Sequence, residues 1–325
     1  MEQGDAAAKA LERLETQPAF LLTQPAGPAE YRRALAVLLV SACLFAAFLP
    51  YAKVPLVPVP AFIPIYETAL VVFDVVTAVL LIGQYRIVRS PALLMLGSGY
   101  LFTAVMTVGH ALTFPGLFAP MGLLGAGPQS TAWIYMLWHS GFPLFVLAYV
   151  ASKRWMVRPF PGRSTALHVW APAGAALLAC ALVALATAGQ SLLPTIMDGN
   201  RYTSAMRGTV ASVWVFSLVA LASLWRQRPH SVLDLWLVIV LAAWLCDIAL
   251  SAMLNAGRFD LGYAGRIYGL LACSVVLMSC CWKTPFSTPD WRRPMTASID
   301  GISTSRPHAR RPRQPAGPRA CSSRA

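Results

Sequence analysis

Residues 132–151 decide the fold: they read AWIYMLWHSGFPLFVLAYVA and contain no Lys, Arg, Asp or Glu. About 20 apolar residues are enough to cross the hydrocarbon core of a bilayer as an α-helix. Seven further stretches of similar length and apolar character occur along the chain. The sequence therefore predicts eight transmembrane helices, at about 34–52, 64–85, 91–112, 132–151, 168–188, 208–225, 235–254 and 266–282.

The composition is typical of a membrane protein. The 325 residues are 57% hydrophobic and 12% charged, whereas a soluble domain carries about 25% charged residues. Such a chain cannot form an ordinary hydrated surface, which excludes a soluble enzyme, a disordered protein and a secreted disulfide scaffold. Lipid offers no hydrogen-bond partners, so the spans must be helices. We predict an all-α membrane protein, a bundle of eight transmembrane helices.

Basic residues are unevenly distributed among the short loops between the predicted helices. Loops two, four and six carry eight Lys or Arg, and loops one, three, five and seven carry five. Cytoplasmic loops are enriched in basic residues. The even-numbered loops and both termini are therefore predicted to be cytoplasmic. We expect no cleavable signal peptide, because the polar start of the chain lacks an apolar core near Met1.

The two ends of the chain differ from its apolar middle. Residues 1–32 form a polar extension, residues 33–282 hold all predicted helices, and residues 283–325 contain nine Lys or Arg and seven Pro. The last segment has too little apolar content to fold and is predicted to be a disordered cytoplasmic tail. Its basic charge favours contact with the lipid bilayer over binding of nucleic acid.

Four ionisable side chains lie well inside the predicted spans and are candidates for a functional site. A charged group costs about 2.5–3.5 kcal/mol at the centre of a membrane helix, so such residues face the bundle interior. We expect them near the middle of the bundle or in its outer half, where they form one polar cluster or bond separately to neighbouring polar groups. They are Asp74, His110, His139 and Asp247.

Loop three, residues 113–131, joins the helices that carry both histidines and contains no charged residue. We interpret it as packing cover for the bundle or as a lid. Under the second interpretation, Asp74, His110 and His139 line one outward-facing pocket for an unknown small ligand or ion, because histidine responds to protons, metal ions or small anions near neutral pH. Trp138 and nearby aromatic residues would contribute to this pocket or form an aromatic belt at the membrane interface.

Motifs of membrane enzymes are absent from the sequence. It contains no HExxH zinc motif, no paired-aspartate protease motif, no phosphate-binding glycine loop and no Cys/His spacing typical of a metal site. We therefore expect no enzymatic activity and no cofactor. A small proton-coupled transporter is the first alternative function, because Asp74 and Asp247 could carry protons, although no internal repeat is recognisable. A membrane-embedded enzyme is the second alternative.

Long, aperiodic runs connect the chain to a known family. PVPAFIPIY (58–66), TAVLLIGQYRIVRS (77–90) and HALTFPGLFAPMGLLGAGPQSTAWIYMLWHSGFPLFVLAY (110–149) strongly resemble the membrane-associated sensor domain of the fourth type, a MASE family of bacterial integral-membrane input domains. The similarity extends more weakly over about residues 33–282. It implies a sensory module in the bacterial inner membrane that serves a histidine kinase of a two-component system or a diguanylate cyclase of cyclic-di-GMP signalling.

The sequence departs from the family pattern after the last predicted helix. A linker helix rich in Glu, Arg and Leu is expected there, whereas this chain continues with Lys283-Thr-Pro and the basic tail. We expect the output domain to be missing, through a truncated or frame-shifted coding sequence or, alternatively, because the chain is a stand-alone sensor. The resemblance leaves open the stimulus and the formation of a homodimer.

Overall fold

The computed structural model describes residues 22, 24–51, 59, 61–155, 164–199, 201–250 and 262–283. The predicted disordered tail, apart from Lys283, lies outside these residues, as does most of the N-terminal extension. The described chain forms eight α-helices, two short 3₁₀ turns (Leu49–Tyr51 and Gln190–Leu192) and a two-stranded antiparallel ribbon, β1 (Met197–Asp198) and β2 (Arg201–Tyr202). The helices are α1 (Pro28–Phe48), α2 (Phe62–Val88), α3 (Pro91–Thr113), α4 (Ser130–Trp155), α5 (Ser164–Thr187), α6 (Ser204–Arg226), α7 (Val232–Ile248) and α8 (Gly262–Lys283).

Six helices, α1 to α6, are long and apolar enough to cross a membrane. α7 and α8 coincide with the seventh and eighth predicted spans. However, α7 has 17 residues in the described chain, and the apolar part of α8 is the shorter stretch Gly265–Cys281. An all-helical, multi-pass membrane protein is thus confirmed, while the count of eight spans and their orientation stay predictions.

The first helix begins earlier than the sequence predicts, at Pro28 instead of near residue 34. Proline suits the first turn of a helix, where its missing N–H has no partner to lose. The Glu30 carboxylate also accepts a hydrogen bond from the Gly27 N–H at 3.2 Å. The short segment before α1 pairs with the loop that precedes α7, because the Ala26 N–H donates to the His230 carbonyl at 2.9 Å.

α3 lies at the centre of the bundle, where most of its residues are buried. It packs against α2, α4 and α5. Two glycines allow α3 and α4 to approach closely. A Cβ atom at Gly99 of α3 would lie 2.7 Å from Cβ of Phe145 in α4, and one at Gly141 of α4 would overlap the Phe102 ring of α3. Small residues at such contacts are typical of packed membrane helices.

Hydrogen bonds between loops define the two ends of the bundle. Loops three and five meet at one end, where the Gln129 side chain bonds to the backbone of Ile196 and Met197. At the other end, the side-chain amide of Gln227, just after α6, donates to the Val150 carbonyl of α4 at 2.6 Å. We call the first the odd-loop end, because loops three and five lie there, and the second the even-loop end.

Asp234, in the first turn of α7, organises the even-loop end. Its fully buried carboxylate accepts hydrogen bonds from Lys153 Nζ at 2.6 Å and from the Tyr149 hydroxyl at 2.7 Å, both of α4. It also accepts from the N–H and hydroxyl of Ser231, whose side chain caps α7 in return. A carboxylate at a helix N-terminus is favourable in itself. These bonds attach α4 to α7 at this end.

Loop three folds back onto the end of α3 through its backbone. The Leu123 N–H donates to the Leu112 carbonyl at 2.7 Å, and Gly122 lies against Thr113 with a φ of +83° that favours glycine. The large apolar side chains of the loop are nevertheless more than half exposed: Phe118, Met121 and Leu124. These side chains point away from the helices, and both interpretations of loop three, as packing cover or as a lid, stay predictions.

Candidate functional site

A buried carboxylate–histidine pair joins α2 to α3 near the odd-loop end. Nδ1 of His110, in the last turn of α3, lies 2.6 Å from Oε1 of Glu67, in the second turn of α2. Both side chains are almost completely buried. A buried carboxylate requires a hydrogen-bonding partner to offset its desolvation, and a ring N–H of His110 supplies it. The pair therefore fixes the beginning of α2 against the end of α3.

A second buried pair joins α4 to α7. Nε2 of His139 lies 3.2 Å from Oδ2 of Asp247, and Nδ1 lies 2.8 Å from the carbonyl of Tyr135. A carbonyl only accepts hydrogen bonds, so Nδ1 carries a proton. The other ring nitrogen, Nε2, faces the Asp247 carboxyl group, so both nitrogens of His139 have a partner inside the bundle.

The backbone hydrogen bonds of α4 are interrupted next to the His139–Asp247 pair. Pro143 has no N–H, so it cannot donate to the carbonyl of His139 four residues earlier, as a helix interior requires. The indole N–H of Trp244 in α7 donates to this carbonyl instead, at 3.1 Å. Trp244 and Asp247 lie one turn apart on α7 and bond the backbone and the side chain of His139, respectively. α7 therefore compensates for the proline in α4.

Arg266 of α8 brings a positive charge into the same region. Its guanidinium carbon lies 5.0 Å from the centre of the Tyr135 ring and 5.4 Å from that of Tyr66, in the range of cation–π contacts. It also interacts electrostatically with Glu67 and Asp247. One Arg thus stands among two carboxylates and two histidines, which reduces the net charge of a site that is shielded from water.

Several polar atoms of this region are buried without a hydrogen-bond partner in the described part of the chain. They are the Tyr66 hydroxyl, Oε2 of Glu67, Nε1 of Trp138 and Nη1 of Arg266. Unpaired buried polar groups are rare in folded proteins because each costs free energy. The set combines hydrogen-bond donors with one carboxylate oxygen, so it offers contacts of both kinds to a small polar species.

The two predicted histidines come together, whereas Asp74 has other contacts. The rings of His110 and His139 both contact Tyr135, with centroid distances of 6.0 and 3.9 Å, so they lie within about 10 Å of each other. Trp138 also contacts both rings. Asp74 instead bonds to the Thr103 hydroxyl at 2.7 Å. The structure therefore adds Asp247 to the histidines and places Asp74 in a different hydrogen-bonded group.

The aromatic residues of α4 do not form a belt at the membrane interface. Trp133, Tyr135 and Trp138 are at most 8% exposed and pack inside the bundle. The Trp133 indole N–H donates to the Pro194 carbonyl of loop five at 3.1 Å. The belt interpretation is therefore wrong for these three residues, and Tyr135 and Trp138 belong to the polar region around the histidines. We call Tyr66, Glu67, His110, Tyr135, Trp138, His139, Asp247 and Arg266 the odd-loop cluster.

Sequence reasoning missed Glu67 and Arg266. Glu67 lies only four residues inside the predicted second span, and Arg266 begins the predicted eighth span, where its charge was counted with loop seven. The sequence does contain an indication of both residues. Each lies at the odd-loop end of its helix, as His110 does, so it could be expected near His110. In the described residues, no group of three or more His, Cys, Asp or Glu side chains is arranged to hold a metal ion.

The apolar helices and the buried charged cluster define an integral membrane protein with a polar site inside its bundle. The family model described as "Membrane-associated sensor, integral membrane domain" (MASE4) matches residues 57–283. The chain belongs to this family. No curated protein and no solved structure matches the chain.

Proposed function

We propose that the chain is the signal-input module of a bacterial sensory system, embedded in the inner membrane and without enzymatic activity of its own. Under this proposal the odd-loop cluster faces the periplasmic side and receives the stimulus. The signal then passes to a histidine kinase or diguanylate cyclase on the cytoplasmic side. Membership of a membrane-sensor family supports the general role.

The observation that carries the proposal is the double attachment of α4 to α7. At the odd-loop end, His139 bonds to Asp247 and Trp244. At the even-loop end, Lys153 and Tyr149 bond to Asp234, roughly 20 Å away along α7 at about 1.5 Å per residue. A change in the protonation or ligation of the His139 pair alters the force between two helices that are also joined at the far end. Such a helix pair can transmit a local event across the membrane.

The proposal is tested by fusing a diguanylate cyclase domain directly after Lys283, so that the output follows α8. Asp247→Asn and His139→Ala should change the cyclic-di-GMP produced per fusion protein by about 5-fold or more, the lower range of allosteric coupling. Ser217→Ala is the matched control, because its buried hydroxyl has no partner in the described chain. Equal output from all four proteins at equal membrane levels would contradict the proposal.

A proton-coupled transporter is the second candidate, favoured by the buried carboxyl of Asp74 within α2. The two functions are separated by uptake assays with liposomes that contain the purified chain. A transporter acidifies or alkalinises the lumen when a proton gradient and its substrate are present, whereas an input module leaves the luminal pH unchanged.

A further inference from the structure

Asp74 lies beside a small cavity in the interior of the bundle. The residue is about 18 Å along α2 from its first residue, at about 1.5 Å per residue, and is 1% exposed. The cavity measures about 10 Å³, and its accessible lining is apolar. The polar residues beside it are Asp74, Tyr100, Thr103 and Cys273. This group shares no hydrogen bond with the odd-loop cluster among the bonds of the described residues.

Counting protons at Thr103 determines the state of Asp74. The Thr103 hydroxyl oxygen lies 2.7 Å from Oδ2 of Asp74 and 2.8 Å from the Tyr100 carbonyl oxygen. A hydroxyl has one proton to donate and the carbonyl has none. Both short contacts are full hydrogen bonds only if the carboxyl group carries a proton. Asp74 then donates to Thr103, and Thr103 donates to the carbonyl of Tyr100.

The charges around the cavity agree with a neutral acid. The titratable groups that face Asp74 are the Tyr100 hydroxyl from α3 and the Cys273 thiol from α8, while α4 and α7 contribute Phe142, Val240 and Trp244. None of the residues that line the cavity is Lys, Arg or His. An ionised carboxylate there would be an unpaired charge in a low-dielectric interior, which is far more costly than a protonated one.

Oδ1 of Asp74 has no nitrogen or oxygen donor among the described residues, and the Cys273 thiol is a hydrogen-bonding partner of the Asp74 carboxyl group. No cation therefore reaches this carboxyl group from the residues around the cavity. We propose that Asp74 and Thr103 form a proton-binding site inside the membrane, in which the protonated Asp74 carboxyl donates to the Thr103 hydroxyl and this hydroxyl donates to the Tyr100 carbonyl. Loss of the proton returns the Thr103 hydroxyl to the Asp74 carboxylate and removes the bond to the Tyr100 carbonyl, so it changes a contact between α2 and α3.

The test is infrared spectroscopy of the full chain in lipid nanodiscs at neutral pH. A protonated carboxyl group has a C=O stretching band at higher wavenumber than amide or carboxylate bands. We expect such a band in the wild type and its loss in Asp74→Asn, which replaces the acid by a neutral group of the same shape. Asp198→Asn is the control for an acid in an exposed ribbon and should leave the band unchanged.

A second variant keeps the test valid even if Asp74→Asn folds poorly. Thr103→Val retains the acid but removes the hydroxyl to which it donates, so the same band should persist and shift to higher wavenumber. A wild-type spectrum without the band would overturn the proposal, as would a band that Asp74→Asn and Thr103→Val both leave in place and unshifted.

Discussion

Removing the indole N–H of Trp244 tests the link between α4 and α7. The Trp244→Phe variant leaves the His139 carbonyl without the donor that replaces the missing N–H of Pro143. An unsatisfied buried carbonyl costs about 1–3 kcal/mol, and side-chain hydrogen bonds in a membrane protein average about 0.6 kcal/mol. We expect this bond to contribute about 1 kcal/mol, in addition to the packing lost with the smaller ring.

The two contributions separate in a double-mutant cycle with Pro143→Ala. Alanine restores a backbone N–H that donates to His139 within α4, so the carbonyl no longer depends on Trp244. The hydrogen-bond part of the Trp244→Phe penalty should then disappear, which gives a coupling of about 1 kcal/mol. The free energy of unfolding is measured by denaturing the four proteins in mixed micelles and following circular dichroism. Additivity of the two substitutions to within about 0.3 kcal/mol would refute the link.

Three further predictions concern other parts of the bundle. Lys153→Met leaves the buried Asp234 carboxylate without its cation and should lower the free energy of unfolding by about 3 kcal/mol, measured in the same assay. Gly269→Ala should destabilise the protein because its methyl group would collide with the Tyr66 hydroxyl, whereas Gly174→Ala, with open space around it, should be neutral or stabilising by up to about 1 kcal/mol. A topology reporter fused in loop two should read cytoplasmic and one inserted in loop three periplasmic; the reverse pattern would contradict the loop-charge argument.

The sequence predicts the helices well because each helix depends on an apolar run of neighbouring residues. The long apolar runs locate α1 to α8, and His139 is recognisable as a polar residue that needs an interior partner. The partner itself is not a local property: Asp247 is 108 residues away, and Glu67 is 43 residues from His110. Hydropathy shows which residues are within the membrane, but helix rotation and packing decide which of them meet.

Pro143 illustrates the same limit. Its position four residues after His139 predicts from the sequence that the His139 carbonyl lacks a helical donor. The donor comes from α7, and nothing in the sequence near Trp244 identifies it. Asp74 lies apart from the histidines for a similar reason. It bonds to Thr103, which lies two turns before His110 on α3.

We infer that the odd-loop cluster communicates with the even-loop end through α4 and α7. Hydrogen–deuterium exchange of the full chain in lipid nanodiscs tests this claim most directly, with wild type compared with Asp247→Asn and with the Ser217→Ala control. We expect faster exchange in Asp247→Asn at the beginning of α7, around Ser231 and Asp234, and no such change in the control. Faster exchange confined to the turn around position 247, with the beginning of α7 unchanged, would contradict it.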